Sequence, residues 1–388
     1  TIDTVTATAN AALPKAGGTL TGNLATAGIS AVTAGTSNFV AGVNAGNSIV
    51  SGGNYNTVVG DEAGTAITTG DDNVAVGASA LSANTTGRRN IAIGYKALTA
   101  VTSGERNTAV GWKALEDATG SSNTALGEQA LLNNTTASDN TAVGAGSLAN
   151  TTTGASNTAV GKASLLANTT GTQNTASGFE SLKANTTGQN NISTGFQSLL
   201  SNTTGNDNCA VGVQALRDNT TAGNNTGIGA FALRVNTTGT RNTAVGALSL
   251  DANTTGNYNT ANGYNTLGAN TTGGYNSGFG DSALVNNTTG VRNSAVGHAA
   301  LLDNTTGNYN TAIGMETLVN NTTGSYNTAL GNEALKTVTT VNDLTAVGFT
   351  ALRDNTSGTS NTAVGKASLR VNTTGSGNTG VGLLTLSA

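Results

Sequence analysis

The hydrophobic and polar positions of this chain recur with a period of 17 residues from Asn56 to the C-terminus. One copy, residues 157–173, reads N-T-A-V-G-K-A-S-L-L-A-N-T-T-G-T-Q, and the next copy opens at Asn174. We number each copy from its opening Asn, which is position 1. A fixed short period is typical of repeat proteins, so the sequence predicts about twenty copies of one structural unit.

Position 5 is Gly in every copy, position 9 is Leu in every copy after the first, and positions 12 to 15 usually read N-T-T-G. Position 4 is mainly β-branched or apolar, and position 8 is small. We expect these positions to carry the repeat, through Leu81, Leu98, Leu115, Leu165, Leu199, Leu250, Leu301 and Leu352, Gly77, Gly161, Gly246 and Gly331, and the opening Asn157 and Asn242.

The unit predicts two very short extended segments, each closed by a turn. Asn and Gly tolerate positive φ, and Asn bonds to its own backbone in turns. The T-A-V segment before the Gly suits a short strand. Gly recurs too often, and the segments are too short, for a stable helix.

Stacked copies would lie at a strand spacing of roughly 4.8 Å, so about twenty coils would form a rod on the order of 100 Å long. Leu above Leu and Val above Val would give apolar ladders, and the opening Asn side chains a hydrogen-bonded amide ladder. The predicted fold is therefore all-β: a repetitive β-solenoid, or β-roll, of about twenty 17-residue coils.

Each copy offers about two sizeable apolar side chains. Each contributes roughly 1.5–3 kcal/mol when buried, against an ordering cost of about 1–2 kcal/mol per residue. A single solenoid this thin is expected to be marginally stable, so we predict a parallel homotrimer that shares one axis. The alternative is a monomeric solenoid with a tight Ala/Val/Leu core.

The composition disfavours several classes of protein. Charged residues make up 9% of the chain, and the formal net charge is −4. These values disfavour both an ordinary globular enzyme and a charge-rich disordered chain, and they leave no basic footprint for nucleic acid. No window approaches eighteen consecutive apolar residues, so no membrane insertion is predicted.

The residues with reactive side chains are few and scattered. His298 and Cys209 are the single His and Cys, so no catalytic dyad, triad or zinc cluster is expected. Two sets of acidic residues remain. We predict that the first set consists of surface charges rather than paired catalytic acids. The second set is a candidate calcium site. The first set is Glu62, Glu116, Glu128, Glu180, Glu316 and Glu333, and the second is Asp71, Asp72, Asp139 and Asp207. We expect no enzyme activity and no cofactor.

Tyrosines and arginines at the variable positions are candidates for a lateral binding stripe, because both residue types are common in binding surfaces. The candidates are Tyr258, Tyr275, Tyr309, Tyr326, Arg89 and Arg241. The alternative is that each simply covers the solvent side of a slim rod.

Residues 13–24 read L-P-K-A-G-G-T-L-T-G-N-L and contain the only proline. This segment resembles the L-P-K-x-G-G-T-[ML]-T-G-x-L element of bacteriophage tail fibre proteins, where it precedes a trimeric shaft. We therefore divide the chain into a tail-fibre-like connector (1–37), a capping coil (38–55) and a repeat shaft (56–388). Residues 336–344 lose the turn and the opening Asn, which predicts a local kink, a contact patch or simple sequence drift.

The array itself resembles the N-T-A-[VI]-G-x-x-A-L-x-x-N-T-T-G repeats of phage fibres and, less closely, the β-roll head of trimeric autotransporter adhesins. The resemblance implies an extracellular or virion location, self-association, fibre or virion partners at the N-terminus, and contact with host-surface glycan or protein. A structural fibre is the expected function. The alternatives are a glycan-binding adhesin and an ice-binding solenoid; the adjacent Thr169 and Thr170 argue against the latter, because they would point to opposite faces if extended.

Overall fold

The computed structural model describes residues 29–30 and 34–386. The tail-fibre-like element at residues 13–24 lies outside the described residues. The chain divides into two compact units, residues 1–142 and residues 143–388.

All regular secondary structure in the described residues is β-strand, and each coil of the array contributes one strand, at positions 2 to 4. The first unit contains β1 (Ile29–Ser30), β2 (Phe39–Ala41), β3 (Thr57–Val59), β4 (Val74–Val76), β5 (Ile91–Ile93), β6 (Thr108–Val110) and β7 (Thr124–Leu126), and β8 (Thr141–Val143) lies at the division. The second unit contains β9 (Thr158–Val160), β10 (Thr175–Ser177), β11 (Ile192–Thr194), β12 (Cys209–Val211), β13 (Thr226–Ile228), β14 (Thr243–Val245), β15 (Thr260–Asn262), β16 (Ser277–Phe279), β17 (Ser294–Val296), β18 (Thr311–Ile313), β19 (Thr328–Leu330), β20 (Thr345–Val347), β21 (Thr362–Val364) and β22 (Thr379–Val381).

Within each unit, every strand pairs in parallel with the strand of the next coil. This holds from β2 to β7 in the first unit and from β9 to β22 in the second, while β1 pairs with β2 antiparallel. The register places equal positions side by side, so that Ala176 lies between Ala159 and Ser193. Each unit is a parallel β-solenoid with coils of about 17 residues, which confirms the predicted fold class.

The predicted second extended segment is wrong, because each coil has a single strand and positions 6 to 11 form turns. Every Leu at position 9 has a φ between +48° and +55°, a left-handed conformation that an L-residue adopts only at a cost. Backbone bonds to both neighbouring coils hold this corner. Leu199 donates to the Ala215 carbonyl at 3.0 Å, and Gln197 donates to the Phe179 carbonyl in the opposite direction at 3.0 Å.

The core of each coil is formed by Leu at position 9, Ala at position 3 and the small residue at position 8. All three are buried in coil after coil. Position 4 is not in the core, which corrects the prediction of a buried Val ladder. Alternate side chains of a strand point to opposite faces, so an inward position 3 turns positions 2 and 4 outward.

Two rows of asparagine fill the rest of the interior. The position-1 row is the predicted amide ladder: the Asn191 side chain donates to Asn174 Oδ1 at 3.1 Å and to the Gly205 carbonyl at 2.9 Å. The second row, at position 12, was not predicted. Asn202 donates to Asn185 Oδ1 at 2.9 Å and to the same Gly205 carbonyl at 3.0 Å. Both rows therefore tie the turn at position 15 to the coil interior.

The irregular stretch 336–344 keeps the register of the stack. Strand β19 pairs with β20, and β20 with β21, without a break, and the Leu344 N–H donates to Asn327 Oδ1 at 3.0 Å. Val338, Val341 and Leu344 are buried, so they form no exposed contact patch. Val338 replaces the Asn of position 12, and Asn321 Oδ1 in the preceding coil consequently lacks a partner. These observations favour sequence drift in one tolerant coil.

Candidate binding surfaces

The residues predicted to carry the repeat lie in the coil interior or at its corners. The leucines at positions 81, 98, 115, 165, 199, 250, 301 and 352 are fully buried, as are Asn157 and Asn242. The position-5 glycines have φ between +125° and +142°. A Cβ on Gly161 would lie 2.5 Å from the Gly178 carbonyl oxygen, and a Cβ on Gly246 would lie 2.4 Å from that of Gly263. The glycine is therefore required both for its φ and for the close approach of the next coil.

Within each unit, the outward side chains at position 4 form a mainly apolar line, and we call these residues the position-4 row. Of the twenty copies, seventeen carry an apolar residue there and none carries a charge. Val381 in the last coil is 67% accessible to solvent, and the other exposed members are 37–47% accessible: Ile93 and Leu126 in the first unit, and Val160, Val211, Ile228, Phe279, Val296, Ile313, Leu330 and Val364 in the second. Exposed apolar side chains at the same position of many coils mark a candidate contact surface.

Aromatic side chains at position 6 extend the row on one side. Tyr95 and Trp112 are exposed in the first unit, and the rings of Phe179 and Phe196 stack at 5.6 Å between centroids in the second. Position 6 also carries polar and charged residues such as His298 and Lys162, whereas the position-4 row has only three polar members, Ser177, Thr194 and Asn262, and no charged one.

The structure brings five of the six Tyr and Arg binding candidates together with Arg292, which also lies at a variable position of the repeat. They occupy position 17 of six successive coils in the second unit, and we call them the Arg–Tyr ladder. Its members, in order, are Arg241, Tyr258, Tyr275, Arg292, Tyr309 and Tyr326. Backbone bonds hold the row, since the N–H of each member donates to the position-16 carbonyl of the preceding coil, as Tyr275 does to Asn257 at 3.0 Å.

The side chains of the Arg–Tyr ladder stack on one another. The rings of Tyr258 and Tyr275 lie 4.8 Å apart, and those of Tyr309 and Tyr326 lie 5.0 Å apart, with interplanar angles of 8° and 6°. The Arg292 guanidinium lies between the two pairs, 5.5 Å from the Tyr275 centroid and 5.3 Å from that of Tyr309. Both faces of Tyr275 and of Tyr309 are thereby covered, and these two residues present ring edges and phenol hydroxyls to solvent.

Arg241 closes one end of the ladder. Its guanidinium lies 5.2 Å from the Tyr258 centroid and donates to the Tyr258 hydroxyl, as Arg292 does to the hydroxyl of Tyr309. The four tyrosines remain 40–59% exposed. The sixth predicted residue, Arg89, occupies the same position of a coil in the first unit, 3.9 Å from Asp72, and belongs to no aromatic stack.

Six of the ten acidic residues considered for chemistry lie in ion pairs, namely Glu116, Glu180, Glu316, Glu333, Asp71 and Asp72. Glu316 and Glu333 both accept from Lys336 Nζ, at 2.6 and 2.9 Å. These hydrogen bonds raise the pKa of Lys336, and its ammonium lowers the pKa of Glu333. Likewise, the Lys183 ammonium lowers the pKa of Glu180.

The remaining reactive side chains are isolated. His298 lies 3.4 Å from Asp281, and Asp207 accepts from Asn190 Nδ2 at 3.1 Å. In the part of the chain that the structure describes, no group of three or more His, Cys, Asp or Glu side chains gathers as metal ligands would. Cys209, the first residue of β12 and position 2 of its coil, is half-buried, and this burial raises the pKa of its thiol.

Comparisons of the chain with protein-family descriptions, curated proteins and solved structures find no match. No helix among residues 29–30 and 34–386 has the length and apolarity that crossing a bilayer demands. The surfaces above are therefore the basis for assigning a function.

Proposed function

We propose that the chain forms the shaft of a phage tail fibre or of a similar extracellular fibre, as a parallel homotrimer. In this role the chain catalyses nothing. It sets a distance between the structure that carries it and the surface to which it attaches. Its N-terminal region would contact other fibre or virion proteins, and its far end or its sides would contact host-surface glycan or protein.

The position-4 row is the observation that carries the proposal. Its side chains are uncharged in all twenty coils and apolar in seventeen of them, and they are partly exposed. A second and a third copy of the same chain have the same spacing between coils. Their position-4 side chains can therefore meet those of the first copy at successive coils. Burying the row removes apolar area from water, which favours association by about 25 cal/mol per Å².

Light scattering of the purified full chain tests the assembly. We expect a mass of three times 37.9 kDa. A monomer or a dimer at micromolar concentration would overturn the trimer and leave the position-4 row for another partner.

Ice binding remains a second candidate because of the threonines at position 2. They lie on the outward strand face beside the position-4 row, and Thr345, Thr362 and Thr379 occupy neighbouring strands. An ice-binding surface needs a flat array of threonine side chains. The N-T-T-G threonines do not extend such an array, since Thr169 lies in a bend and its hydroxyl donates to the Thr186 carbonyl at 3.0 Å. A thermal hysteresis assay separates the two functions: hysteresis would favour ice binding, and its absence would favour the fibre.

A further inference from the structure

We propose that the Arg–Tyr ladder of the second unit binds an acidic polysaccharide that lies along the row of coils. Its sulfate or carboxylate groups would accept hydrogen bonds from the Arg241 and Arg292 guanidinium edges and from the tyrosine hydroxyls between and beyond them. This inference goes beyond the proposed fibre, and it does not depend on the oligomeric state because all six residues belong to one unit of one chain.

The two arginines of the ladder carry charges that the chain does not neutralise. Most described arginines pair with a carboxylate, for example Arg217 with Asp218 and Arg234 with Asp251. Arg241 and Arg292 form no ion pair with any described acidic side chain, and their recorded partners are tyrosines. An unpaired guanidinium keeps donors in a planar fork that suits sulfate and carboxylate oxygens.

Within the six coils of the ladder, the positions on either side of position 17 carry no acid. In these coils, positions 13 to 17 and the following positions 1 to 4 contain no Asp or Glu, from Thr237 to Leu330. The same row carries acids outside these six coils: Asp343 follows Tyr326 in the next coil, and Asp207 lies two coils before Arg241. The positive charge of Arg241 and Arg292 is therefore concentrated on one face, although the whole chain is acidic.

The spacing fits a linear polymer with repeated charges. Arg241 and Arg292 are three coils apart, which corresponds to roughly 14 Å at the usual strand spacing. Two tyrosines lie between them and two follow Arg292, so donors recur at every coil. A polysaccharide with an anionic group on each sugar offers acceptors along this whole distance.

Ligands that need an open aromatic face fit this site poorly. Neutral sugars and single-stranded bases bind aromatic side chains largely by stacking on the ring. Here Tyr275 is covered by Tyr258 on one side and by Arg292 on the other, and Tyr309 is covered by Arg292 and Tyr326. Edges and hydroxyls remain, and these favour an anionic hydrogen-bond acceptor.

Titration calorimetry of the full chain tests the site with four probes: heparin, polygalacturonate, dextran and a single-stranded oligonucleotide. We expect heparin or polygalacturonate to bind at about 50 mM salt and to weaken strongly at about 500 mM, because screening acts on exposed charges. The double variant Arg241→Gln/Arg292→Gln should bind at least about tenfold more weakly, as expected when charge-assisted hydrogen bonds are lost.

The matched control is the double variant Arg217→Gln/Arg234→Gln, which removes the same charge from paired arginines of the same unit. It should bind within about twofold of the parent, and Tyr275→Phe/Tyr326→Phe, which keeps the stack and removes two hydroxyls, should weaken binding by about threefold. The proposal is overturned if neither acidic polymer binds, if the control loses as much as the ladder variant, if dextran binds equally well, or if the oligonucleotide binds more tightly. Unchanged thermal unfolding of each variant confirms that the fold is intact.

Discussion

Asn191 bonds to Asn174 twice through one oxygen: its backbone N–H donates to Asn174 Oδ1 at 3.0 Å, and its side-chain amide donates to the same atom at 3.1 Å. The same side chain also donates to the Gly205 carbonyl of its own coil. Each opening Asn thus links its coil to the preceding one and fixes its own turn. These groups are buried, so when one of them is removed its hydrogen-bond partners are left unsatisfied, because water does not reach them.

Asn191→Ala should therefore destabilise the second unit. The backbone N–H of Asn208, which donates to Asn191 Oδ1 at 3.1 Å, would lose its acceptor. A buried unpaired donor costs about 1–3 kcal/mol. Thermal unfolding followed by circular dichroism measures the effect, with the exposed Gln189→Ala as control. Equal midpoints for the two variants would show that the ladder contributes nothing.

Leu199→Asp should break the stack in the middle of the second unit. Leu199 is fully buried, and a carboxylate at its site would be surrounded by the leucines of neighbouring coils. Burial raises the pKa of such a carboxyl, so the variant should be more stable below the ordinary Asp pKa and lose stability as the pH rises. Leu200→Asp, at a half-buried neighbouring position, is the control. An unchanged melting temperature for Leu199→Asp at pH 7 would contradict the role of the ladder.

Gly246→Ala tests whether the position-5 glycine is needed for space as well as for φ. The added Cβ would lie 2.4 Å from the Gly263 carbonyl oxygen, so the backbone must shift. Gly377→Ala is the control, because Gly377 also has a positive φ, +68°, but no atom lies within 4 Å of its Cβ site. The control should cost about 1–2 kcal/mol, the usual cost of a left-handed Ala, and Gly246→Ala should cost more. If Gly246→Ala and Gly377→Ala had similar melting temperatures, the neighbouring coil would be able to move away from the added Cβ at little cost, and the close approach would not be required.

The sequence predicts the solenoid well because the stacking needs only a fixed period. Equal positions such as Asn174 and Asn191 must meet once each coil has the same length. The period does not reveal which side of the coil is inside. A T-A-V strand has two faces, and the small Ala faces inward because the coil is too narrow for Val, with Leu and two Asn rows already filling it. The left-handed φ of the position-9 Leu could not be predicted from the sequence either, because residue preferences assign left-handed conformations to Gly and Asn.

The candidate site was only partly predictable for a similar reason. The spacing of Tyr258, Tyr275, Tyr309 and Tyr326 in multiples of 17 places them in one row, and Arg292 fills the gap in the same register. Whether the rings lie open or stacked depends on side-chain rotamers, which no repeat pattern specifies. Because the stacked rings cover one another, the expected ligand is an anionic group that accepts hydrogen bonds rather than a neutral sugar that stacks on an open ring.

Cys209 provides a probe of the outward strand face. Burial raises the pKa of its thiol, so less of the reactive thiolate is present at pH 8 than for a free cysteine. We expect slow reaction with a disulfide reagent at pH 8 and a rate that still increases above the usual thiol range. The unfolded chain in guanidinium chloride should react much faster. A folded chain with an ordinary rate and pH midpoint would contradict the burial of this residue.

Charges placed in the position-4 row should prevent assembly without unfolding the coil. Ile228 and Ile313 are both about 40% exposed, so Lys at these sites fits on a single chain but brings like charges together when copies pack row against row. We expect Ile228→Lys/Ile313→Lys to lower the mass measured by light scattering from three times 37.9 kDa towards the monomer, with an unchanged circular dichroism spectrum. Thr238→Lys/Thr323→Lys adds the same charge at exposed positions outside the row and should stay trimeric. A lysine variant of the row that remains trimeric would place the interface on another face of the coil.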